Sequence, residues 1–304
     1  MGKHVVIGAG QVGRQLAELL HQQGHEVVQV TRSGSGADQA TKIAADASDH
    51  TALARAAAGA DVLYNCVNPR YHRWTTDWPP MADAMLRTAE STGAVYVILG
   101  NLYSYGPVDG PMTEDLPLAS RGVKGRVRAE MWRQALAAHE AGRVRTTEIR
   151  ASDYFGPGST DQGFLSPYVI QPAAAGKRVT VLSDPDIPRA WTYLPDVART
   201  LAIAGTDERA WGRPWHVPTL PAMSARTVAE RTAFLAGARK PRVMEVPYWL
   251  IKALGLVQPF MRELRETRYQ FDRPFVLDSS AFQRTFGLTP TPLDEALKES
   301  YIRP

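Results

Sequence analysis

Three glycines near the start of the chain, Gly8, Gly10 and Gly13, have the spacing G-x-G-x-x-G and are candidates for binding phosphate. They follow a short apolar run and precede leucines at helical spacing. In a strand–turn–helix unit of this kind, the first glycine makes the tight turn, the second leaves room for the phosphates, and the third lets helix and strand approach. The motif predicts a dinucleotide site that includes Gln11 and Val12, and a glycine turn without a ligand is the alternative.

A proton donor is predicted after another apolar run, Val95 to Leu99. In an open parallel sheet, functional groups gather at the carboxyl ends of the strands, which is where Tyr103 falls. Lys124 is a second candidate, because an ammonium group can activate a phenol or bind an anionic group. Packing of Tyr103 against a neighbouring loop is the structural alternative.

An aromatic and basic segment, NPRYHRWTTDWPP, spans residues 68–80 after the fourth predicted strand. A loop at this end of a parallel sheet borders the ligand crevice, so Tyr71 and Trp74 are candidate substrate contacts. His72 is a lone histidine that could act as an acid or base near pH 7, or simply face solvent. The tryptophans could equally cap the hydrophobic core, and both interpretations stay open.

The end of the second predicted strand has the sequence Val30-Thr31-Arg32-Ser33 and contains no acidic residue. In dinucleotide-binding folds, an acid at this point holds the ribose hydroxyls, whereas an arginine beside small hydroxyl residues suits a 2′-phosphate. Arg32 and Ser33 therefore favour NADP over NAD, although NAD remains possible. A solvated loop arginine is the alternative.

Short apolar strands alternate with helical segments along the first half of the chain. This pattern predicts an α/β fold of the Rossmann type, in which a doubly wound parallel sheet has helices on both faces, with a smaller C-terminal substrate lobe. The predicted strands are 4–7, 27–30, 42–45, 62–67, 95–99 and 146–149, and the predicted helices include 81–90 and 125–141.

Beyond Arg150 the density of glycine and proline rises, which indicates a departure from the regular sheet. We predict a dinucleotide-binding domain over residues 1–165, to which residues 190–220 return. Residues 166–189 and 221–304 are predicted to form the smaller substrate-binding lobe.

The composition of this 304-residue chain, with 44% hydrophobic and 22% charged residues, is typical of a globular protein with its own core. Its net charge of +4 is spread along the sequence, so a nucleic acid is not expected as a partner. Neither a signal peptide nor a membrane span is recognisable, and we expect a cytoplasmic protein. The single cysteine, Cys66, lies in an apolar run and is expected to be a buried thiol.

The sequence lacks the motifs of several other classes of functional site. The chain has no H-E-x-x-H motif and no cysteine and histidine cluster at metal spacing, so no metal site is proposed. It also has no G-x-S-x-G motif, which excludes an α/β-hydrolase. The charged residues Arg262, Glu263, Arg265, Glu266 and Arg268 are interpreted as a solvated or partner-facing helix surface.

Four stretches, in the right order, resemble motifs of the NAD-dependent epimerase/dehydratase family, the extended short-chain dehydrogenases/reductases. They are Asp46 after the third strand, LYSYGPVDGPMTEDLPL, RASDYFGPG at Arg150, and RAWTYLPDVAR at Arg189. The resemblance implies a seven-strand sheet with a small C-terminal lobe, a contact from Asp46 to adenine, and substrate contacts from Tyr154 and Arg189. Ala47 and Cys66 complete the predicted cofactor contacts.

The sequence departs from the family pattern at the residues of the proton relay. The family places a tyrosine and a lysine four residues apart on one helix, and the corresponding positions here are Gly122 and Arg126. Arg126 could still hold ribose or phosphate, but a guanidinium cannot shuttle protons at neutral pH. A shift of two residues gives Ser120 and Lys124, which again supplies no phenol. The family's Ser/Thr falls on Asn101, which could polarise a carbonyl group.

These observations predict an NADP-dependent oxidoreductase or epimerase-like enzyme with a non-standard proton donor. Its substrate would be a small carbonyl or hydroxyl compound or a sugar nucleotide, and the protein is expected to be a monomer or homodimer. Two alternatives stay open. One is a non-catalytic NADP-binding sensor, and the other is a non-redox isomerase or lyase that reuses the cleft.

Overall fold

The structure, a computed structural model, describes residues 1–159, 163–246 and 266–302. Of the predicted charged helix surface, Arg262, Glu263 and Arg265 lie outside these described residues. Glu266 and Arg268 lie within them, and Arg268 forms an ion pair with Asp272 at 2.6 Å.

The strands of the described chain are short and mostly buried. In chain order they are β1 (Lys3–Ile7), β2 (Glu26–Thr31), β3 (Thr41–Ala44), β4 (Val62–Asn65), β5 (Val95–Asn101), β6 (Thr146–Ala151), β7 (Asp153–Phe155), β8 (Val179–Val181), β9 (Trp191–Tyr193), β10 (Pro214–His216) and β11 (Val243–Glu245).

The helices that pack around these strands alternate with them in the first half of the chain. They are α1 (Gln11–Gln22), α2 (His50–Ala56), α3 (Trp74–Thr92), α4 (Val123–Glu140), α5 (Gln171–Ala174), α6 (Leu194–Thr206), α7 (Ala225–Leu235), α8 (Ser280–Phe286) and α9 (Leu293–Ile302).

Seven of the strands form one parallel sheet in the order β10-β6-β5-β4-β1-β2-β3. Strands such as β1 and β4 read as continuous apolar runs because helices cover both faces of a parallel sheet. This arrangement confirms the predicted α/β fold of the Rossmann type. All carboxyl ends lie along the same edge of the sheet, so the residues after β1, β2, β4 and β5 can contribute to one site.

Helix α3 begins at Trp74, whereas the sequence analysis placed its start at Met81, and it contains Pro79 and Pro80. The predicted start was wrong because the last part of the segment 68–80, read as a loop, is helical in spite of its two prolines. A proline lacks the N–H that bonds to the carbonyl four residues earlier, and here those carbonyls belong to Thr75 and Thr76. Both threonines are exposed, so water can satisfy the two carbonyls and the helix continues.

The described chain forms two compact units. The first comprises Met1–Ser104, Leu118–Ala151 and Val197–Val217 and contains the seven-strand sheet. The second comprises Tyr105–Pro117, Ser152–Asp196 and Pro218–Pro304. Residues 105–117, 152–165, 190–196 and 218–220 thus belong to the second unit, whereas the sequence predicted them in the first. The break falls where β6 ends at Ala151, the last residue paired with β5.

The second unit has a core of its own around two small parallel pairs, β7 with β9 and β8 with β11. The Asp196 carboxylate accepts hydrogen bonds from the Thr291 backbone N–H and hydroxyl, at 2.8 and 2.7 Å. Tyr193 donates to Glu299 at 2.6 Å. The buried apolar residues of this unit include Val169, Ile170, Val181, Trp191, Val228 and Leu297.

Acid is expected to destabilise the sheet of the first unit through His4. This side chain is buried in β1, with Nδ1 3.1 Å from the Tyr64 hydroxyl and its ring 4.1 Å from that of His25. Burial and the His25 charge lower the pKa of His4 to about 4, although Asp61 opposes this shift. The unfolded chain, with an ordinary histidine pKa of about 6.5, therefore binds a proton that the folded state excludes.

Between pH 6.5 and 4 the unfolded state binds more protons, so the stability contributed by His4 decreases as the pH falls, by up to about 3 kcal/mol. Urea unfolding of wild type and His4→Asn at pH 7 and 4.5 measures this, since asparagine keeps an acceptor for Tyr64. The variant is expected to lose less stability on acidification. His72→Asn, at an exposed position, should behave as wild type. Equal acid sensitivity of His4→Asn and wild type would contradict the assignment.

Candidate functional site

The glycine turn after β1 is tightly constrained at its first and third positions. Gly8 has φ +104°, and a Cβ added there would lie 2.7 Å from the Cys66 carbonyl oxygen. A Cβ on Gly13 would overlap the Gly8 carbonyl. Beside Gly10, in contrast, nothing lies within 4 Å of an added Cβ, and no side chain caps helix α1 at this residue. The turn therefore leaves open space beside Gly10, at the start of a helix that begins with Gln11.

A buried glutamine that the sequence analysis missed holds this turn in place. The Gln29 amide donates hydrogen bonds to the carbonyls of Gly8 and Gly13, each at 3.0 Å, and accepts one from the Ala37 N–H at 2.7 Å. Its side chain is completely buried. The signal was a glutamine between the valines of β2, where an apolar side chain was expected. A buried amide is retained where it satisfies backbone groups, and here those groups belong to the turn.

Two of the predicted cofactor residues are buried next to this region. Cys66 follows β4 and is 8% exposed, which confirms the expected buried thiol. Burial raises the pKa of the thiol to about 12, so it is protonated at neutral pH. Ala47 follows β3 and belongs to the core of the first unit. Both residues contribute small side chains close to the carboxyl edge of the sheet.

The predicted 2′-phosphate and adenine residues are exposed to solvent after β2 and β3. The hydroxyls of Ser33 and Ser35 lie 2.9 Å apart. Asp46 accepts hydrogen bonds from the Ser48 hydroxyl at 2.6 Å and the Ser48 N–H at 2.9 Å. These bonds, with a smaller contribution from the Arg32 charge, lower the pKa of Asp46. The end of β2 thus presents a guanidinium and two hydroxyls, and Asp46 stays ionised beside them.

At the end of β5, Asn101 and Tyr103 are joined by a hydrogen bond in which Asn101 Oδ1 accepts from the Tyr103 N–H at 3.1 Å. The Tyr103 hydroxyl lies 2.9 Å from that of Tyr71. Both phenols are partly exposed. The structure therefore brings the predicted proton donor together with Asn101 and with Tyr71, one of the four predicted substrate contacts.

The aromatic segment 68–80 divides into residues of two kinds. Trp74, the first residue of α3, and Trp78, one turn later, are 1% and 0% exposed and pack in the core. Tyr71 is partly exposed in the short 3-10 turn before that helix and stacks on Trp74, with ring centroids 5.0 Å apart. His72 is exposed. Of the two interpretations of the tryptophans, the structure thus shows that they cap the core.

Lys124 and Arg126 lie on opposite sides of α4. Lys124 is 2% exposed, and its Nζ lies 5.7 Å from the centroid of the Tyr71 ring. Arg126 is exposed and donates a hydrogen bond to the Arg121 carbonyl at 2.6 Å. A Cβ on Gly125 would overlap Ser120 and the Tyr103 carbonyl, so the glycine lets the start of α4 approach the end of β5. Of the two alignments considered, the one through Lys124 places a cation beside the Tyr71 ring.

Arg128 is a second residue that sequence reasoning missed. It lies four residues after Lys124, on the same side of α4, and is 5% exposed. Its guanidinium lies over the rings of Trp74 and Trp78, at 4.9 and 4.3 Å from their centroids. Its Nη1 donates to the Leu99 carbonyl at 3.2 Å, near the end of β5. The spacing from Lys124 was the available signal, but the partners are distant in sequence.

The two remaining predicted substrate contacts, Tyr154 and Arg189, belong to the second unit. Tyr154 lies in β7 and is partly exposed. Arg189 is 3% exposed, and its Nη2 donates to the Asp153 carboxylate at 2.5 Å. Its guanidinium lies 3.9 Å from the centroid of Phe271 and 4.7 Å from that of Trp191. Within its own unit, Arg189 is thus held by an ion pair and two aromatic rings.

Among the residues that the structure describes there is neither a cluster suited to a metal ion nor a helix suited to span a membrane. Within residues 1–159, 163–246 and 266–302, no three His, Cys, Asp or Glu side chains are grouped so that they could hold a metal ion. Over the same residues, no helix combines the length and apolar character needed to cross a membrane.

Comparison with known proteins identifies the family. The model of the NAD dependent epimerase/dehydratase family matches residues 4–216, more than half of the chain. No curated protein sequence matches.

Several solved structures have a similar fold. One is the UDP-glucose 4-epimerase of Thermotoga maritima with UDP-glucose, which has a TM-score of 0.80 and 16% identity; the alignment covers 99% of this chain and 98% of that one. MoeE5 in complex with UDP-glucose and NAD has a TM-score of 0.80 and 22% identity, and the alignment again covers 99% of this chain and 98% of the other. The UDP-glucuronic acid 4-epimerase of Bacillus cereus in complex with NAD has a TM-score of 0.78 and 16% identity, also over 99% and 98% of the two chains. The family model and the shared fold lead to one conclusion: this chain belongs to the NAD-dependent epimerase/dehydratase family.

Proposed function

We propose that the protein is an NADP-dependent oxidoreductase or epimerase-like enzyme that acts on a small carbonyl or hydroxyl compound, with Tyr103 as the proton donor. The observation that carries this proposal is the position of the Tyr103 hydroxyl. It lies after β5, at the same edge of the sheet as the glycine turn after β1, and contacts Tyr71 at 2.9 Å. The family has its catalytic tyrosine at the start of the helix that corresponds to α4, and this chain has no tyrosine there. We propose that the Tyr103 phenol takes over its role.

The glycine turn fits a dinucleotide. The open space beside Gly10 and the uncapped start of α1 suit a pyrophosphate, which binds free backbone N–H groups. Asp46, ionised and exposed after β3, is suited to accept a hydrogen bond from an adenine amino group. When bound, a nicotinamide dinucleotide supplies or accepts hydride. The residues proposed to hold it are Gly8, Gly10, Gln11, Val12, Gly13, Arg32, Ser33, Asp46, Ala47 and Cys66.

The residues at the end of β5 have separate roles in the proposed chemistry. Tyr103 transfers its hydroxyl proton to the substrate oxygen during reduction and receives one during oxidation. Asn101 Oδ1 accepts a hydrogen bond from the Tyr103 N–H. The amide NH₂ group of Asn101 is its hydrogen-bond donor. That group can polarise the same substrate oxygen. Lys124 supplies a positive charge beside the Tyr71 ring.

Arg32→Ala is expected to weaken NADPH binding by about 10- to 100-fold, which corresponds to loss of a charge-assisted hydrogen bond of about 1.5–3 kcal/mol. NADH lacks the 2′-phosphate, so its affinity should stay the same. Calorimetric titration of dinucleotide-free protein with both nucleotides measures the difference. Arg55→Ala, which removes the same charge from an exposed site on α2, is the matched control. Equal losses for NADPH and NADH would contradict a 2′-phosphate site at Arg32.

The substrate class is proposed from the chemistry of the site and from the structural neighbours. The neighbours crystallised with UDP-glucose and with UDP-glucuronic acid share this fold, and their ligands carry the hydroxyls that an epimerase oxidises and reduces. We therefore include sugar nucleotides among the candidate substrates, beside simple carbonyl compounds.

A substrate screen tests the enzyme proposal. Purified protein would be incubated with NADPH or NADP⁺ and a panel of carbonyl compounds, alcohols and UDP-sugars, with absorbance at 340 nm and product chromatography as readouts. At least one compound is expected to turn over in wild type and to do so much more slowly in Tyr103→Phe. Turnover unchanged in Tyr103→Phe would contradict the proposed donor, and tight NADPH binding without any turnover would favour a sensor.

A further inference from the structure

Tyr71 and Tyr103 form a pair of phenols at the carboxyl edge of the sheet. Their hydroxyl oxygens lie 2.9 Å apart, which is a normal distance for a hydrogen bond between hydroxyls. Their rings lie 6.4 Å apart and share a third ring, because Trp74 is 5.0 Å from Tyr71 and 6.0 Å from Tyr103. Two residues that are 32 positions apart in sequence therefore have their hydroxyls within hydrogen-bond distance of each other.

A buried cation lies beside this pair. The Lys124 ammonium is 5.7 Å from the centroid of the Tyr71 ring, and the residue is only 2% exposed. A positive charge close to a phenol favours the ionised form, and the effect is stronger where water is excluded. Lys124 therefore favours negative charge on the Tyr71 phenol.

The Tyr71 ring is held in position by packing. It stacks on Trp74, whose Nε1 donates to the Pro69 carbonyl at 2.9 Å and so anchors the preceding turn. The Trp74 ring is in turn covered by the Arg128 guanidinium at 4.9 Å, and Arg128 is bonded to the Leu99 carbonyl in β5. This chain of contacts connects the Tyr71 turn to β5, the strand that leads to Tyr103.

We infer that Tyr71 and Tyr103 act as one proton relay, in which Tyr71 replaces the proton that Tyr103 gives to the substrate. This inference rests on the proposed function. In the reducing direction the Tyr103 O–H bond breaks as the substrate O–H bond forms, and the Tyr71 hydroxyl proton moves to Tyr103. Tyr71 remains as a phenolate beside Lys124 and takes a proton from water, which its partly exposed side chain allows. The oxidising direction runs the same transfers backward.

The relay is tested without any substrate by ¹³C NMR of protein labelled at the tyrosine Cζ carbons. The Tyr71 and Tyr103 signals, assigned with Tyr71→Phe and Tyr103→Phe, are followed over pH in the dinucleotide-free protein. Burial raises the pKa of Tyr64 and Tyr96, so their signals do not titrate in the same range. We expect the two signals to titrate as a coupled pair. Lys124→Met should move their first midpoint upward by about one pH unit or more.

Two further variants serve as controls. Lys124→Arg keeps the positive charge, so the first titration midpoint of the two tyrosine signals is expected to stay close to its wild-type pH. Tyr168→Phe removes an exposed tyrosine of the second unit and should leave both signals unchanged. Independent titration of Tyr71 and Tyr103, with midpoints that do not respond to Lys124→Met, would overturn the relay.

A kinetic arm separates failure of the relay from failure of the proposed function. With a substrate from the screen, Tyr71→Phe is expected to lower kcat about tenfold or more and to shift its pH profile, with KM little changed. An unchanged pH profile overturns the relay while the proposed enzyme stands. If no substrate turns over, the proposed function fails, and the NMR titration still decides whether the two phenols share a proton.

Discussion

Gly10→Ala is expected to lower NADPH affinity by about 100-fold or more, which corresponds to about 2.7 kcal/mol, and to leave the fold intact. The added Cβ meets nothing within 4 Å, so the protein itself has room for it. Gly10 also has extended backbone angles, φ −73° and ψ −169°, which alanine can adopt. The space that the methyl group takes is therefore the space proposed for the pyrophosphate.

Gly13→Ala is the matched comparison, because its Cβ would overlap the Gly8 carbonyl and force α1 away from the turn. We expect this variant to lose about 1–3 kcal/mol of folding stability as well as affinity. Thermal unfolding and calorimetric titration of both variants separate the two effects. If Gly10→Ala binds NADPH as tightly as wild type, the pyrophosphate does not lie beside Gly10.

Tyr103→Phe is expected to reduce kcat by about 10²- to 10⁴-fold, the usual contribution of a positioned proton donor. Phenylalanine keeps the ring that packs 6.0 Å from Trp74, so the surrounding structure should be preserved. The loss of the hydrogen bond to Tyr71 should cost about 1 kcal/mol of stability. NADPH affinity is expected to change little, because the predicted pyrophosphate and 2′-phosphate contacts lie after β1 and β2.

The measurement is steady-state kinetics with a compound from the screen, together with NADPH titration of the same variant. Tyr105→Phe is a suitable control, since it removes a phenol only two residues away that is 2% exposed. Its kcat should stay close to that of wild type. A Tyr103→Phe variant with full activity would show that another group donates the proton.

The sheet and the glycine turn could be predicted because their signals are local. β1 and β2 are short apolar runs on either side of a helix with leucines at helical spacing, and the three glycines lie within six residues. Parallel strands that are buried on both faces have continuous apolar sequences, and this pattern can be recognised without knowing the rest of the structure. The same locality explains why the buried state of Cys66, within an apolar run, was predicted correctly.

The contacts of the phenol pair could not be predicted, because they depend on distant elements. Tyr71 and Trp74 were selected as aromatic residues of a loop, but the start of α3 at Trp74 buries the tryptophan and leaves Tyr71 beside Tyr103. Two alignments of α4 were open until its helical register showed that Lys124 is buried and Arg126 exposed. Gln29 was missed because its hydrogen-bond partners are backbone carbonyls of the turn, and the sequence does not show which side chain a backbone carbonyl will bind.

The central claim is that one site in the first unit joins a dinucleotide at the glycine turn to a proton donor at Tyr103. A crystal structure of the protein with bound NADP⁺ tests it most directly. The account predicts the pyrophosphate at the start of α1 beside Gly10, the 2′-phosphate near Arg32, and the nicotinamide ring close to Asn101 and Tyr103. A dinucleotide bound elsewhere, or one whose nicotinamide lies away from Tyr103, would contradict the account.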